Sequence, residues 1–306
     1  MSSVFRLAHL TDVHLGPLPR PRPGELFSKR ITGFLSWQLR RRRIHRTDVL
    51  DATLAALASA RPDHTVVTGD LCNISLPGEF VAARDWLLRL GPPARVTAIP
   101  GNHDAYVPGA AEAHWPLWRP WMEGAGAPRD FPFVRRVGPL ALLGLSSAVP
   151  RPWGDAAGEL GCDQLERLAV RLAELRRSGL CRVVLVHHPP VPGWSPPRKC
   201  LLDAAALGAV LAREGAELVL CGHDHRLASG ALPGPSGPIP VLAGPSASLA
   251  AAEPEKRGGG LLLAIRRADS GAGWRIEAEA WRFDPALARM AKEAVPMPPS
   301  VVAALA

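Results

Sequence analysis

An α/β fold built largely on buried, parallel strands is predicted by two features of this 306-residue sequence. Short runs rich in Val, Leu and Ile alternate with longer segments whose apolar residues recur at helical spacing, as βαβ units require. Several of these runs end on Asp, His or Asn, and in open α/β folds the carboxyl ends of strands converge on one crevice.

In chain order, Val4 to Leu10, His64 to Thr68, Arg95 to Ile99, Cys181 to Val186 and Glu217 to Leu220 read as buried strands. Thr47 to Ala60 opens with a Thr-Asp helix start, and Pro77 to Leu90 has proline at its first position. Leu160 to Ser178 and Asp203 to Arg213 carry the same helical period. Phe131 to Ser147 holds two strand-like runs meeting at Gly138-Pro139, which predicts a hairpin and some antiparallel pairing. Gly230 to Pro240 is too rich in Gly and Pro for a regular element and reads as a loop before Val241 to Ala243. Leu261 to Arg267 and Trp274 to Phe283 read as a terminal hairpin. A short helix and loose tail are expected after Asp284, giving one main domain over 1–284 and a tail over 285–306.

Composition excludes several classes. Apolar residues are 47% and charged residues 21%, a globular balance rather than a disordered or fibrous one. The N-terminal stretch lacks a basic segment followed by an apolar one, and no uncharged apolar run is long enough to span a bilayer. The five cysteines, Cys72, Cys162, Cys181, Cys200 and Cys221, are odd in number and lack CxxC spacing, so neither a disulfide framework nor a thiolate zinc site is expected. Cys72 and Cys221 are read as small buried hydrophobes. A cytoplasmic chain is the expectation. The net charge of +8 favours an anionic partner, although an arginine-biased composition accounts for it equally well.

The clusters that close the strands are Asp12-Val13-His14, Gly69-Asp70, Gly101-Asn102-His103-Asp104, His187-His188-Pro189 and Gly222-His223-Asp224-His225. Asp, His and Asn together suit divalent Mn, Fe, Zn or Co rather than Mg or Ca. Seven candidate ligands (Asp12, His14, Asp70, Asn102, His187, His223 and His225) exceed one tetrahedral ion but suit two ions sharing a carboxylate. A strand-end Asp can merely cap a helix and a His can sit satisfied in a core. That reading is adopted for the isolated His9, His45, His64 and His114.

In this order, DxH, GD, GNHD, H and GHxH, the chain resembles the calcineurin-like metallophosphoesterase superfamily. The resemblance implies a four-layer αββα sandwich with two central mixed β-sheets. It implies one metal on Asp12, His14, Asp70 and His225 and another on Asp70, Asn102, His187 and His223, with Asp70 as bridge and His188 outside the ligand set. The implied activity is a dinuclear hydrolase of phosphodiester or pyrophosphate bonds that uses a metal-bridging hydroxide. His103 would hold a phosphate oxygen or protonate the leaving group, with Asp104 orienting its imidazole. Many relatives carry Asp where this chain has Asn73, a change expected around the ligands rather than among them.

Glu25 to Arg46 is unlike the rest. Leu26, Phe27, Ile31, Phe34, Leu35 and Leu39 recur at helical spacing, Lys29, Arg30 and Arg40 to Arg43 supply cations, and Trp37 suggests an interfacial aromatic. One reading is a helix on the anionic inner face of a membrane, close to a lipid-linked substrate such as a UDP-diacylglucosamine-type pyrophosphate. The other is a helix packed on the core or on a second subunit. A cyclic-nucleotide phosphodiesterase, a silent metal-binding scaffold and a DNA nuclease remain alternatives. Nucleic acid is disfavoured because aromatics do not interleave the basic residues.

Overall fold

The apolar runs pair into two six-stranded mixed sheets in a computed structural model that describes residues 4–123, 131–269 and 273–297. The first sheet holds β1 (Phe5–Leu10), β2 (His64–Val67) and β3 (Val96–Ala98), with all three strands parallel. The second holds β4 (Phe133–Val137), β5 (Leu140–Gly144), β6 (Cys181–Leu185), β7 (Leu218–Cys221), β8 (Ala228–Leu232) and β9 (Ile239–Ala243). The chain then returns to the first sheet as β10 (Gly259–Arg267), β11 (Trp274–Asp284) and β12 (Arg289–Ala294), all antiparallel. The orders are β12-β11-β10-β1-β2-β3 and β4-β5-β6-β7-β9-β8.

Alternation along the strands explains why the sheets stack. Leu142, Val183, Leu185, Leu218, Leu220 and Leu242 face the first sheet and join its Leu7, Val66, Ile99 and Leu263 in one core. Their sequence neighbours Leu143, Val184, Val219, Cys221 and Val241 point the other way, into a second core. The helices close the outer faces. In chain order they are α1 (Arg30–Ser36), α2 (Arg42–Ile44), α3 (Thr47–Ser59), α4 (Pro77–Leu90), α5 (Ala110–His114), α6 (Cys162–Leu175) and α7 (Ala204–Glu214). Leu50 and Leu57 of α3 and Phe80 and Leu87 of α4 cover the first sheet. Leu165, Leu168 and Leu172 of α6 with Leu207 and Leu211 of α7 cover the second, which gives the four-layer αββα sandwich.

The hairpins at Phe131 to Ser147 and Leu261 to Phe283 form as the sequence predicts. Two expectations fail. Arg289–Ala294 is strand β12 rather than a helix, because it pairs along β11 and returns Val295 to the core, so the sheet runs past Asp284. The rest of the expected tail, 298–306, lies outside the described residues. Gly230 to Leu232 belongs to β8, and Ile239 and Pro240 to β9, rather than to a loop; β8 is an edge strand, where Gly230 is tolerated.

Between β1 and α3 the insert forms one continuous helical run. A π-helical turn over Trp37–Arg41 joins α1 to α2. An α-helical position drifts by about 40° over four residues, and the wider π turn offsets this drift. Gly33, Trp37, Arg41 and His45 therefore share the inward face, with Gly33, Trp37 and His45 buried. Trp37 is not interfacial: its ring is buried and lies over Gly16, where an added Cβ would meet it at 3.2 Å.

Candidate metal centre

Loops leaving five strands of both sheets supply the seven predicted ligands. Asp12 and His14 follow β1, Asp70 follows β2, Asn102 follows β3, His187 follows β6, and His223 and His225 follow β7. Asp12, His14, Asp70, His223 and His225 all have positive φ, between 43° and 72°. Such conformations cost non-glycine residues energy and persist only where the surroundings impose them. Here the backbone of His14 donates to the Asp70 carbonyl at 2.8 Å within the first sheet's loops, and that of His223 donates to Asp12 Oδ2 at 2.9 Å, tying a loop of the second sheet to the first. Gly101 and Gly222 permit the crowding. A Cβ on Gly101 would meet Asp70 Oδ1 at 2.3 Å, and one on Gly222 would meet Thr11 Oγ1 at 1.9 Å.

The donor atoms of Asp12, His14, Asp70 and His225 lie within 4.8 Å of one another. His14 Nε2 stands 3.1 Å from His225 Nε2, and His225 Nε2 stands 3.2 Å from Asp12 Oδ1. Asn102 Oδ1 lies 3.1 Å from His187 Nε2 and 2.9 Å from His223 Nδ1. A single oxygen, Asp70 Oδ2, joins the two groups, 3.7 Å from His14 Nε2 and 3.5 Å from His187 Nε2. Ligand atoms about 2.1 Å from one ion stand near these separations from each other, so the set fits two divalent cations with a shared carboxylate.

The hydrogen bonding around the ligands points the same way. His14 donates from Nδ1 to the Cys72 carbonyl at 3.1 Å, and His187 donates from Nδ1 to the Thr68 carbonyl at 2.7 Å. Each Nδ1 is thereby occupied, and Nε2 is the nitrogen left to face a cation. Asp12 Oδ1 is buried without a hydrogen-bond partner. Burial works against a charge on His187, yet Asp70 and Asp12 outweigh it and lift this imidazole to about 10. Burial likewise pushes Asp70 up, but His187 and His103 hold it well below the carboxylate range. An ionised pair of carboxylates among converging lone pairs is a field that a cation satisfies.

His188 is excluded from this set because both its ring nitrogens are occupied, by Ser147 Oγ at 2.7 Å and the Ala156 carbonyl at 3.0 Å. His103 lines the pocket and donates from Nδ1 to the Asn73 carbonyl, which leaves Nε2 for the pocket. Burial and Arg41 depress His103 to about 4. Asp104 does not orient that ring. Its carboxylate accepts from the backbone N–H groups of Asp70 and Gly101 at 2.9 Å and Cys72 at 2.8 Å, so it shapes the ligand loops instead. Burial and Asp70 raise it to about 7. The Asn73 side chain donates to the Leu15 carbonyl at 2.8 Å and touches no ligand.

Two residues of the insert enter the site: Arg41, read only as one of the flanking cations, and His45, whose reading as an isolated core histidine the pocket corrects. The ring of His45 lies 4.5 Å from that of His14, and its donor atoms group with those of His14 and His225. Arg41 Nη2 lies 3.0 and 3.2 Å from the two ring nitrogens of His14. The sequence signal was the four-residue spacing of Gly33, Trp37, Arg41 and His45, opposite the more conspicuous apolar stripe. His9 and His64 are core residues as expected, each bonded to a threonine hydroxyl at 2.8 Å.

A family model of calcineurin-like phosphoesterases matches residues 5–227. The glycerophosphodiester phosphodiesterase GpdQ of Enterobacter lignolyticus (strain SCF1) is 29% identical over 171 residues, 55% of this chain and 57% of the relative. A probable cyclic nucleotide phosphodiesterase, syc0937_d of Synechococcus sp., is 29% identical over 192 residues, 57% of this chain and 62% of the relative. The chain thus spans less than two thirds of the length of either. In fold it is similar to a dimetal phosphatase from Danio rerio (TM-score 0.54, 13% identity, 89% of this chain and 98% of that one). It is also similar to the purple acid phosphatase PPD1 of yellow lupin (TM-score 0.59, 15% identity, 97% and 54%). With a matching family model over most of its length, this fold and two donor groups joined at Asp70, the chain belongs to the calcineurin-like phosphoesterase family.

Proposed function

We propose that the protein is a dinuclear metal-dependent hydrolase whose substrate is a lipid-linked phosphodiester or pyrophosphate met at an anionic membrane surface on the cytoplasmic side. Family membership and the donor set support the hydrolase; one feature of the insert carries the lipid. Phe27, Ile31, Leu35 and Leu39 follow one another at four-residue steps and are 90%, 41%, 50% and 71% exposed. Ile31, Leu35 and Leu39 form an apolar stripe on the outer face of the helix whose inner face lines the metal pocket, and Phe27 precedes them in the turn before α1. An apolar stripe flanked by the exposed Arg40, Arg42 and Arg43 suits an interface with anionic lipid. No helix among the described residues is long and apolar enough to cross a membrane.

When bound, two divalent cations supply an activated water at neutral pH and positive charge for the phosphoryl oxygens. The protein's own residues do the rest. Asp70 spaces the two donor groups through one oxygen. The carbonyls of Cys72 and Thr68 occupy Nδ1 of His14 and His187, so that Nε2 is the nitrogen each ring turns to the pocket. His103 presents Nε2 toward the reacting phosphoryl or leaving oxygen, held there by the Asn73 carbonyl. The insert roofs the pocket and limits water.

The names of both curated relatives favour a second reading, a small soluble phosphodiester. A direct comparison separates the two: metal-loaded protein is assayed on a detergent-dispersed lipid diphosphate, cyclic AMP and single-stranded DNA. The lipid diphosphate should be turned over at least about tenfold more efficiently than the others. Preference for cyclic AMP would install the second reading.

A further inference from the structure

Among the described residues, the arginines Arg182, Arg282 and Arg135 spend their N–H groups on oxygen. Arg182 bonds the Glu217 carboxylate and the Glu214 carbonyl, and Arg282 bonds two carbonyls and Glu293. Arg135 bonds four backbone carbonyls. Arg41 is different. Among the described residues no carboxylate pairs with it and no oxygen accepts from it. Its contacts are the rings of His14 and His103, with Nη1 3.4 Å from both nitrogens of His103 and Nη2 at 3.0 and 3.2 Å from those of His14. Near-equal distances to both nitrogens of a ring place a guanidinium nitrogen over the ring face rather than in a hydrogen-bonding line.

A half-buried planar cation with five donors and no oxygen partner is an incomplete arrangement in a folded protein. The cavity that Arg41 lines measures about 320 Å³ and also takes in Arg40, Lys199, His103 and His225. Asp70 is the one carboxylate of its lining, and it is committed to the ligand groups. The guanidinium lies against the rings of His14 and His103 in the same cavity. We propose that Arg41, backed by Arg40 and Lys199 at the rim, binds a second phosphoryl group next to the reacting one, so that this site selects phosphoanhydride diesters over isolated monoesters and diesters. This rests on the hydrolase reading above and narrows its substrate class. A guanidinium fork matches two oxygens of one phosphoryl group, and a diphosphate brings the second negative charge that three cations at the rim demand.

The test compares ADP-ribose, a diphosphate diester without lipid, with bis(p-nitrophenyl) phosphate, which has a single phosphoryl group, on metal-loaded protein. Arg41→Ala lowers kcat/KM for ADP-ribose by roughly 100-fold and for the simple diester by about tenfold or less, and Arg41→Lys falls between. Calorimetric binding of α,β-methylene-ADP and of AMP gives a readout independent of turnover. The affinity ratio of the two ligands in the wild type collapses by roughly tenfold or more in Arg41→Ala, and chelation of metal by either ligand cancels in the comparison. Equal losses on both substrates with an unchanged affinity ratio overturn the assignment. A wild-type protein inactive on every phosphoester removes the hydrolase reading, while the calorimetric ratio still decides Arg41.

Discussion

At the scale of the residue, the proposed function separates groups that would hold cations from groups that would act on substrate. Asn102 offers one oxygen to His187 and His223. Asn102→Ala should therefore reduce bound metal from two ions per chain toward one, as read by plasma mass spectrometry. His103→Ala should keep both metals and lower kcat by roughly 10²-fold or more. Two ions retained in the first variant, or full activity in the second, would remove these roles. Asp104 calls for a different outcome. As the acceptor of N–H groups from Asp70, Cys72 and Gly101 it is a structural carboxylate, and Asp104→Ala should destabilise the fold by roughly 3 kcal/mol, measured by urea unfolding.

At the scale of the element, the insert and the last strand carry the consequences. Replacing Phe27, Ile31, Leu35 and Leu39 together by Gln should abolish co-sedimentation with phosphatidylglycerol vesicles. Their side chains are exposed, so the melting temperature should stay within about 2 °C. Persistent sedimentation would assign the stripe to another contact. Strand β12 pairs with β11 over six residues and Val295 is buried behind it, so a chain ending at Asp284 leaves the β11 edge open. Truncation there should lower the melting temperature by several degrees and promote aggregation, whereas ending at Met297 should not. Equal stability of the two truncations would show β12 to be dispensable.

At the scale of the whole molecule, stability is tied to acid through buried neutral histidines. Burial, with Arg135 nearby, holds His64 down from 6.5 to about 4. Above pH 6.5 neither the folded nor the unfolded chain protonates it, and its contribution is complete. As pH falls toward about 4 the unfolded chain takes up a proton that the folded chain refuses, and stability drops by up to roughly 3 kcal/mol. Urea midpoints between pH 7 and 4.5 should show this decline, and His64→Gln should flatten it; an unchanged slope would place the acid sensitivity elsewhere. Metal acts on the same balance. Chelation leaves Asp12, Asp70 and the converging imidazoles without their cations, so it should lower the melting temperature, and added Mn should restore it.

The local pattern of the sequence determined the α/β class, the positions of the parallel strands, and the seven candidate ligands, because strand period and the polar clusters at strand ends are read over a few residues at a time. Metal chemistry was legible for the same reason: Asp, His and Asn in that order narrow the donor set before any distance is known. Tertiary structure alone decided what depends on packing across the molecule. It turned Arg289–Ala294 into an edge strand by offering it β11, redirected Asp104 from His103 to three backbone amides, and buried Trp37 over Gly16. Through a π-helical turn it also aimed Arg41 and His45 at the metals while the apolar stripe faced outward. Which face of an amphipathic helix meets the site depends on residues more than a hundred positions away, and no window along the chain contains that information.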